Sequence, residues 1–259
     1  MHHTLNITSS DIIDHLKLSY QLPEILQAIA SQKIVSEAAE EEGITVTSQE
    51  IQQEADNLRL NKKLVKAQDT LLWLKQHYLS EHDFEASIRH QILARKLASH
   101  LFTSQVERFF YQNQQNYVTA VTYEVILDDI DVALEIFYAI EECEITFPEV
   151  ARMYISDSEL RRVYGYQGVR HRKDFRPEIA WAVFAASPPQ IIKPIVTTKG
   201  VYLIWVEEIF QPQLDEQLRE KIISELFEDW LKKEIQLLVI KTHLDGDAIP
   251  PSEQLLNHA

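Results

Sequence analysis

The 259 residues carry 25 basic and 40 acidic side chains, a formal net charge of −15, with 45% hydrophobic and 25% charged residues. That balance belongs to a soluble globular chain long enough for one large domain or two ordinary ones. An acidic surface repels phosphate backbones and argues against a nucleic-acid partner, while only 5 Gly and 9 Pro argue against low-complexity linkers and a Gly-rich nucleotide fold.

The first residues, Met1 to Thr8, lack a positive start and an apolar run, so no signal peptide is expected. No stretch approaches the roughly 18 apolar residues of a membrane span. The expected location is the cytoplasm. From residue 9 to about 113 the chain reads as helices. Ser9, Ser10 and Asp11 offer an N-cap ahead of Ile12, Ile13 and Leu16. Pro23 suits a first helical turn, with Ile25, Ile29, Ile34 and Val35 on one apolar side, and Gly43 ends that helix. Thr47 and Glu50 then have the spacing of a capping box, in which each side chain satisfies the other residue's free backbone N–H. Ser80 and Asp83 make a similar start before Phe84, Ile88, Ile92 and Leu97, and Ser104 with Glu107 opens a further helix.

Near residue 118 the texture changes. Val121 to Leu127 is β-branched and aromatic and reads as a strand. Asp131 to Met153 reads as helix with a break near Thr146 and Pro148. Residues 156–176 hold Gly165, Gly168 and many charges, and read as a long loop. Glu178 to Ala186 reads as a short helix, and Val201 to Val206 as a second strand. From Leu214 to about Val239 apolar residues recur at helical steps. The tail beyond, with Pro250 and Pro251, reads as flexible. Cys143 is the one cysteine, so no internal disulfide forms. It lies in a Glu-Glu-Cys-Glu run whose carboxylates disfavour a thiolate, and it reads as an inert helix residue. His77 and His82 do not have the spacing that places two ligands on one helix face, and no third ligand accompanies them. No metal or cofactor is expected, and no nucleophile elbow, P-loop or dinucleotide fingerprint is present.

Six segments in order carry a resemblance: Val125-Ile-Leu127, Phe147-Pro-Glu-Val-Ala151, Ser156-Asp157-Ser158, Gly165-Tyr-Gln-Gly168, Pro177-Glu-Ile179 with Phe184, and Pro194-Ile-Val-Thr197 followed by Gly200 to Val206. Together they are similar to parvulin-type (PpiC-like) peptidyl-prolyl isomerase domains. The flanks resemble SurA-like chaperones: Gly43-Ile-Thr-Val-Thr-Ser-Gln-Glu50, the Phe109-Phe-Tyr-Gln-Asn113 helix end, and the amphipathic helix containing Trp230.

The resemblance implies an α+β fold with four parts. Residues 1–117 would be a helical SurA-like peptide-holding domain, and residues 118–210 a parvulin-like domain with a small antiparallel sheet flanked by helices. A helix over 211–243 would pack back on the helical domain, and 244–259 would be a flexible tail. It further implies cis–trans isomerisation of prolyl bonds in unfolded or extended, proline-containing clients, coupled to chaperone-like holding. The family's strand histidines fall at Glu124 and Tyr202, and the acid or thiol of its Ser-Asp loop at Ser158. Phe175, Ile179 and Phe184 take the places of the proline-gripping wall, and Glu124, Ser158, Thr197 and Tyr202 would form the polar centre. The loss of the histidines leaves open an inactive binding chaperone or a dedicated peptide partner. Ile179 and Phe184 equally fit plain core positions, and Glu124 and Tyr202 plain strand positions. The Arg170–Lys173 run fits either loop decoration or a seat for a client carboxylate.

Overall fold

The computed structural model describes residues 5–242 and 244. The tail read as flexible lies, apart from Leu244, outside the described residues. In chain order the first helices are α1 (Ser9–Leu18), α2 (Leu22–Glu41), α3 (Ser48–Asn61), α4 (Ala67–Gln76), α5 (Glu81–Phe102) and α6 (Val106–Asn113). Then come β1 (Thr119–Leu127), α7 (Ile130–Glu141), α8 (Phe147–Tyr154), α9 (Ser158–Arg162), β2 (Tyr166–His171), α10 (Pro177–Ala185), β3 (Gln190–Thr197), β4 (Gly200–Phe210) and α11 (Glu216–Leu237). The described residues up to Val106, with those from Arg219 on, form one compact unit, and Glu107–Leu218 forms the other.

In the helical unit the starts are set locally. Thr47 accepts from the Glu50 N–H at 3.3 Å while Glu50 accepts from the Thr47 N–H at 2.8 Å, and Ser80 and Asp83 repeat the arrangement. The cap of α1 falls on Thr8 rather than on Ser9–Asp11, since it is Thr8 that exchanges hydrogen bonds with Asp11. Sequence reading misses α4. Its N-cap is Lys66, whose own side chain is no capping acceptor, and Asp69 reaches back alone to the Lys66 N–H. The unit's core joins Val35 and Ala39 of α2, Leu97 and Phe102 of α5, and Phe227 of α11, with the Phe102 and Phe227 rings meeting edge to face at 6.5 Å. Each of the Val, Leu and Phe side chains withdrawn from water contributes about 2 kcal/mol.

The other unit is built on a four-stranded antiparallel sheet in the order β2-β1-β4-β3. Alternation along β1 and β4 sends Val125, Leu127, Val201 and Leu203 to one face, under Ala133 and Phe137 of α7 and Phe147 and Val150 of α8. Ala120, Tyr202, Ile204 and Val206 face the other way, where Ile179, Ala180 and Val183 of α10 cover them. The expected break in the helical stretch after Asp131 is real. Cys143 takes a left-handed φ of 60° just past α7, and Thr146 and Glu149 then cap α8. Cys143 is therefore an exposed turn residue, not a helix residue. The segment read as a long loop holds α9 and the edge strand β2, and Gln190–Thr197 is the opposite edge strand. Neither edge shows apolar alternation. Every residue of β2 is at least partly exposed, and β3 carries Pro194 inside a register irregularity, the place where an edge strand tolerates proline.

Candidate functional site

On the α10 face of the sheet a charge pair sits among apolar side chains. Arg170, on β2 opposite Ala120, sends Nη1 to Glu124 Oε1 at 2.7 Å. Their side chains are 24% and 10% exposed. A second guanidinium nitrogen donates to the Asp174 carbonyl at 2.7 Å, and the guanidinium lies 4.0 Å over the Phe175 ring. Phe175 meets Phe184 edge to face at 5.8 Å, and the Arg172 guanidinium lies 5.4 Å from the Phe184 ring. Phe175 and Ile179 are buried, while Phe184 is only half-buried. The aromatic floor thus has an open edge bordered by two guanidinium groups.

Burial is the larger influence on Glu124 and pushes its carboxyl above the ordinary value of 4.5, while the charge and hydrogen bond of Arg170 pull it back in part. A close backbone contact holds the strand at this residue. The Glu124 N–H donates to the Gly165 carbonyl at 2.9 Å, and a Cβ on Gly165 would lie 2.4 Å from the Glu124 carbonyl oxygen. Only glycine permits that approach at a φ of 83°.

Of the residues singled out in the sequence, Glu124, Phe175, Ile179, Phe184 and Tyr202 share this face of the sheet. Two others do not join them. The Thr197 hydroxyl is consumed by the β3–β4 hairpin, donating to the Gly200 carbonyl at 3.0 Å and accepting from the Lys199 N–H at 3.1 Å. Ser158 is exposed on the first turn of α9, whose Leu160 packs into the core on the opposite side of the sheet. Two residues of the face escaped the sequence reading. Arg170 was legible only as part of a basic run in an acidic chain. Thr122 is fully buried one alternation from Glu124, and its hydroxyl has no hydrogen-bond partner among the described residues. Among those residues, too, no cluster of three His, Cys, Asp or Glu could hold a metal, and no helix is long and apolar enough to cross a membrane.

The arrangement leaves the half-buried Phe184 ring over the buried Phe175 and Ile179, with a charge-assisted donor and acceptor pair beside it. Nothing in it is a nucleophile placed for covalent chemistry.

Comparison with known proteins fits this architecture. Residues 9–98 match the SurA-like N-terminal domain family. The foldase protein PrsA of Caldanaerobacter subterraneus subsp. tengcongensis is 22% identical over 242 residues, covering 89% of this chain and 74% of the relative. Among solved structures, the peptidylprolyl isomerase PrsA of Bacillus cereus aligns with a TM-score of 0.51 at 15% identity, covering 92% of this chain and 91% of that one. The Bacillus anthracis PrsA structure aligns with a TM-score of 0.48 at 17% identity, covering 85% and 99%. The Bacillus cereus match supports the fold. The chain is thus similar over residues 9–98 to the SurA-like N-terminal domain family, and that segment is followed along the chain by a 2-1-4-3 sheet.

Proposed function

We propose that the protein is a peptidyl-prolyl cis–trans isomerase of the parvulin type that also holds unfolded or extended protein clients. The observation that carries this reading is the aromatic wall of Phe175 and Phe184 beside the Glu124–Arg170 pair, on the sheet face where the resemblance places the prolyl site. The matched relatives named as foldase and peptidylprolyl isomerase support it.

Rotation about a prolyl bond breaks amide resonance against a barrier of roughly 18–20 kcal/mol. No bond to the enzyme forms. Acceleration requires only that the twisted amide be held better than either planar isomer. Phe184 and Phe175 would take the proline ring, and Ile179 would support them from below. As the amide twists, its nitrogen gains a lone pair and its carbonyl loses resonance with that nitrogen. Arg170 and Arg172 are the donors nearest this wall, and a hydrogen bond donated to that nitrogen strengthens as resonance is lost. Clients containing proline are the expected substrates, and the acidic surface disfavours nucleic acid.

NMR exchange spectroscopy on a panel of X-Pro peptides tests the reading. The wild type is expected to accelerate exchange, and Phe184→Ala to lower that acceleration about tenfold or more while the protein stays folded, because one half-exposed ring carries the grip. A folded wild type that accelerates no peptide in the panel would remove the enzymatic reading and leave a binding chaperone.

A further inference from the structure

The opposite face of the same sheet carries a cleft of about 540 Å³, within the range of ligand sites. Its walls are Tyr123, Ile145, Phe147, Tyr164 and Trp205, with Glu207 at the rim. The aromatic rings are braced. Tyr123 meets Phe147 edge to face at 6.4 Å and Tyr166 at 5.3 Å, and its hydroxyl donates to Glu207 at 3.2 Å. Glu207 owes its place to an irregularity in the ladder. Val121 pairs with Glu208 and Thr122 with Val206, so Glu207 is the extra residue of a bulge on β4. Bulges re-aim side chains in this way.

Outside the far wall, beside Cys143, the chain carries exposed acidic residues against local preference. The last turn of α7 contains no basic residue, and the chain leaves it through Glu141, Glu142, Cys143 and Glu144, all exposed. Three carboxylates stand where the helix carbonyls already present negative charge, an arrangement that costs helix stability. Cys143, at a left-handed φ, turns its side chain to the cleft. Arg152 of α8 packs on the lining, donating to the Tyr164 hydroxyl at 3.0 Å with its guanidinium 5.2 Å over the Tyr164 ring, which leaves the other aromatic rings for a ligand.

We propose that this cleft is a second peptide site, one that takes an Arg or Lys side chain flanked by apolar residues of an extended segment. Charge complementarity selects the occupant. Aromatic faces attract a cation, Glu207 supplies its counter-charge, and Ile145 and Phe147 receive the apolar neighbour. The inference rests on the reading of the chain as a client binder, but not on turnover at the Glu124 face.

The test uses the full chain, labelled with ¹⁵N and titrated with two proline-free probes, acetyl-Phe-Arg-Phe-amide and acetyl-Phe-Glu-Phe-amide. The arginine probe is expected to shift the amides of residues 143–147, 164 and 205–207. It should bind about tenfold more tightly than the glutamate probe and lose about threefold or more in Glu207→Gln. Prolyl exchange rates in Glu207→Gln should match the wild type. Equal affinity for the two probes, shifts confined to other residues, or an affinity unmoved by Glu207→Gln would each overturn the proposal. Failure of both probes with prolyl acceleration intact would overturn the cleft alone and leave the isomerase standing.

Discussion

Two glutamates, one in each unit, are each held by one cation at nearly the same distance, and they respond in opposite directions. In the helical unit Lys96 Nζ stands 2.6 Å from Glu50, with side chains 37% and 35% exposed. The hydrogen bond from Lys96, followed by those from the Thr47 backbone and hydroxyl, brings the Glu50 carboxyl down to about 2. In the sheet unit Arg170 stands 2.7 Å from Glu124, and there burial wins and the carboxyl moves up. The partner's charge does not decide the sign. The solvent that the carboxylate keeps does, because desolvation penalises the charged form and only an excess of hydrogen bonds outweighs it. Glu50 serves a helix start and stays wet. Glu124 is enclosed beside an apolar wall, an environment a helix cap does not need.

The strongest way to break this comparison is to dislodge the strand that enclosed Glu124. In Gly165→Ala the new Cβ meets the Glu124 carbonyl oxygen at 2.4 Å and the Ile155 side chain at 3.1 Å, at a φ of 83°. Left-handed strain and overpacking together should cost about 3 kcal/mol, read as loss of urea stability of the sheet unit followed by its own NMR signals. Gly168, four residues before Arg172 and also at positive φ, has nothing within 4 Å of its would-be Cβ. Gly168→Ala should therefore cost only about 1 kcal/mol. Equal losses in the two variants would show that strain alone matters and that the close approach at Glu124 does not.

A smaller effect follows from removing the partner and leaving the strand. Arg170→Ala leaves a nearly buried carboxylate without its cation and takes the guanidinium off the Phe175 ring. The loss should be about 2 kcal/mol, below the figure for a fully buried pair because Arg170 keeps some solvent and Glu124 can take up a proton. Lys96→Ala should cost far less, since the exposed Glu50 carboxylate rehydrates. The paired change Glu124→Leu with Arg170→Met should recover most of the loss while abolishing any contribution of the pair to prolyl exchange. If Arg170→Ala and Lys96→Ala prove equally mild, the enclosure of Glu124 has no energetic weight.

How much of this was legible in the chain depends on how local the cause is. The capping boxes at Thr47 and Ser80 involve partners three residues apart, so pattern alone finds them. The strand cores of β1 and β4 are dense in β-branched residues because both of their faces are covered. The edge strands are invisible for the converse reason. Tyr166–His171 becomes a strand by pairing with β1, not by its own preference, and Pro194 disguises β3. The resemblance puts Glu124 at a strand-histidine position and Phe175 and Phe184 on the apolar wall, but the partner of Glu124 lies 46 positions away on the strand that the pattern conceals. Thr197 reads as available in the sequence because the hairpin that engages its hydroxyl is formed by pairing with β4.

The finest division between the two glutamates is their dependence on pH, where the signs must differ. Glu50 has a folded value near 2 against a reference of 4.5. The unfolded chain binds the extra proton between those values, so the stability Glu50 contributes is present above about 4.5 and is lost as pH falls toward 2. Glu124 has a folded value above 4.5. There the native state binds the extra proton, so its contribution is present below 4.5 and is lost as pH rises through the raised folded value. Denaturation at a series of pH values from 3 to 8, with each unit followed by its own signals, separates the two when each is replaced by Gln. Relative to Glu50→Gln, the wild-type helical unit should lose stability toward acid. Relative to Glu124→Gln, the wild-type sheet unit should lose it as pH rises above 4.5, and Arg170→Ala should steepen that loss because the pull of the guanidinium is gone. The same sign of slope for both glutamates would mean that Arg170 outweighs burial at Glu124, and that the carboxyl beside the aromatic wall is a plain carboxylate throughout the neutral range.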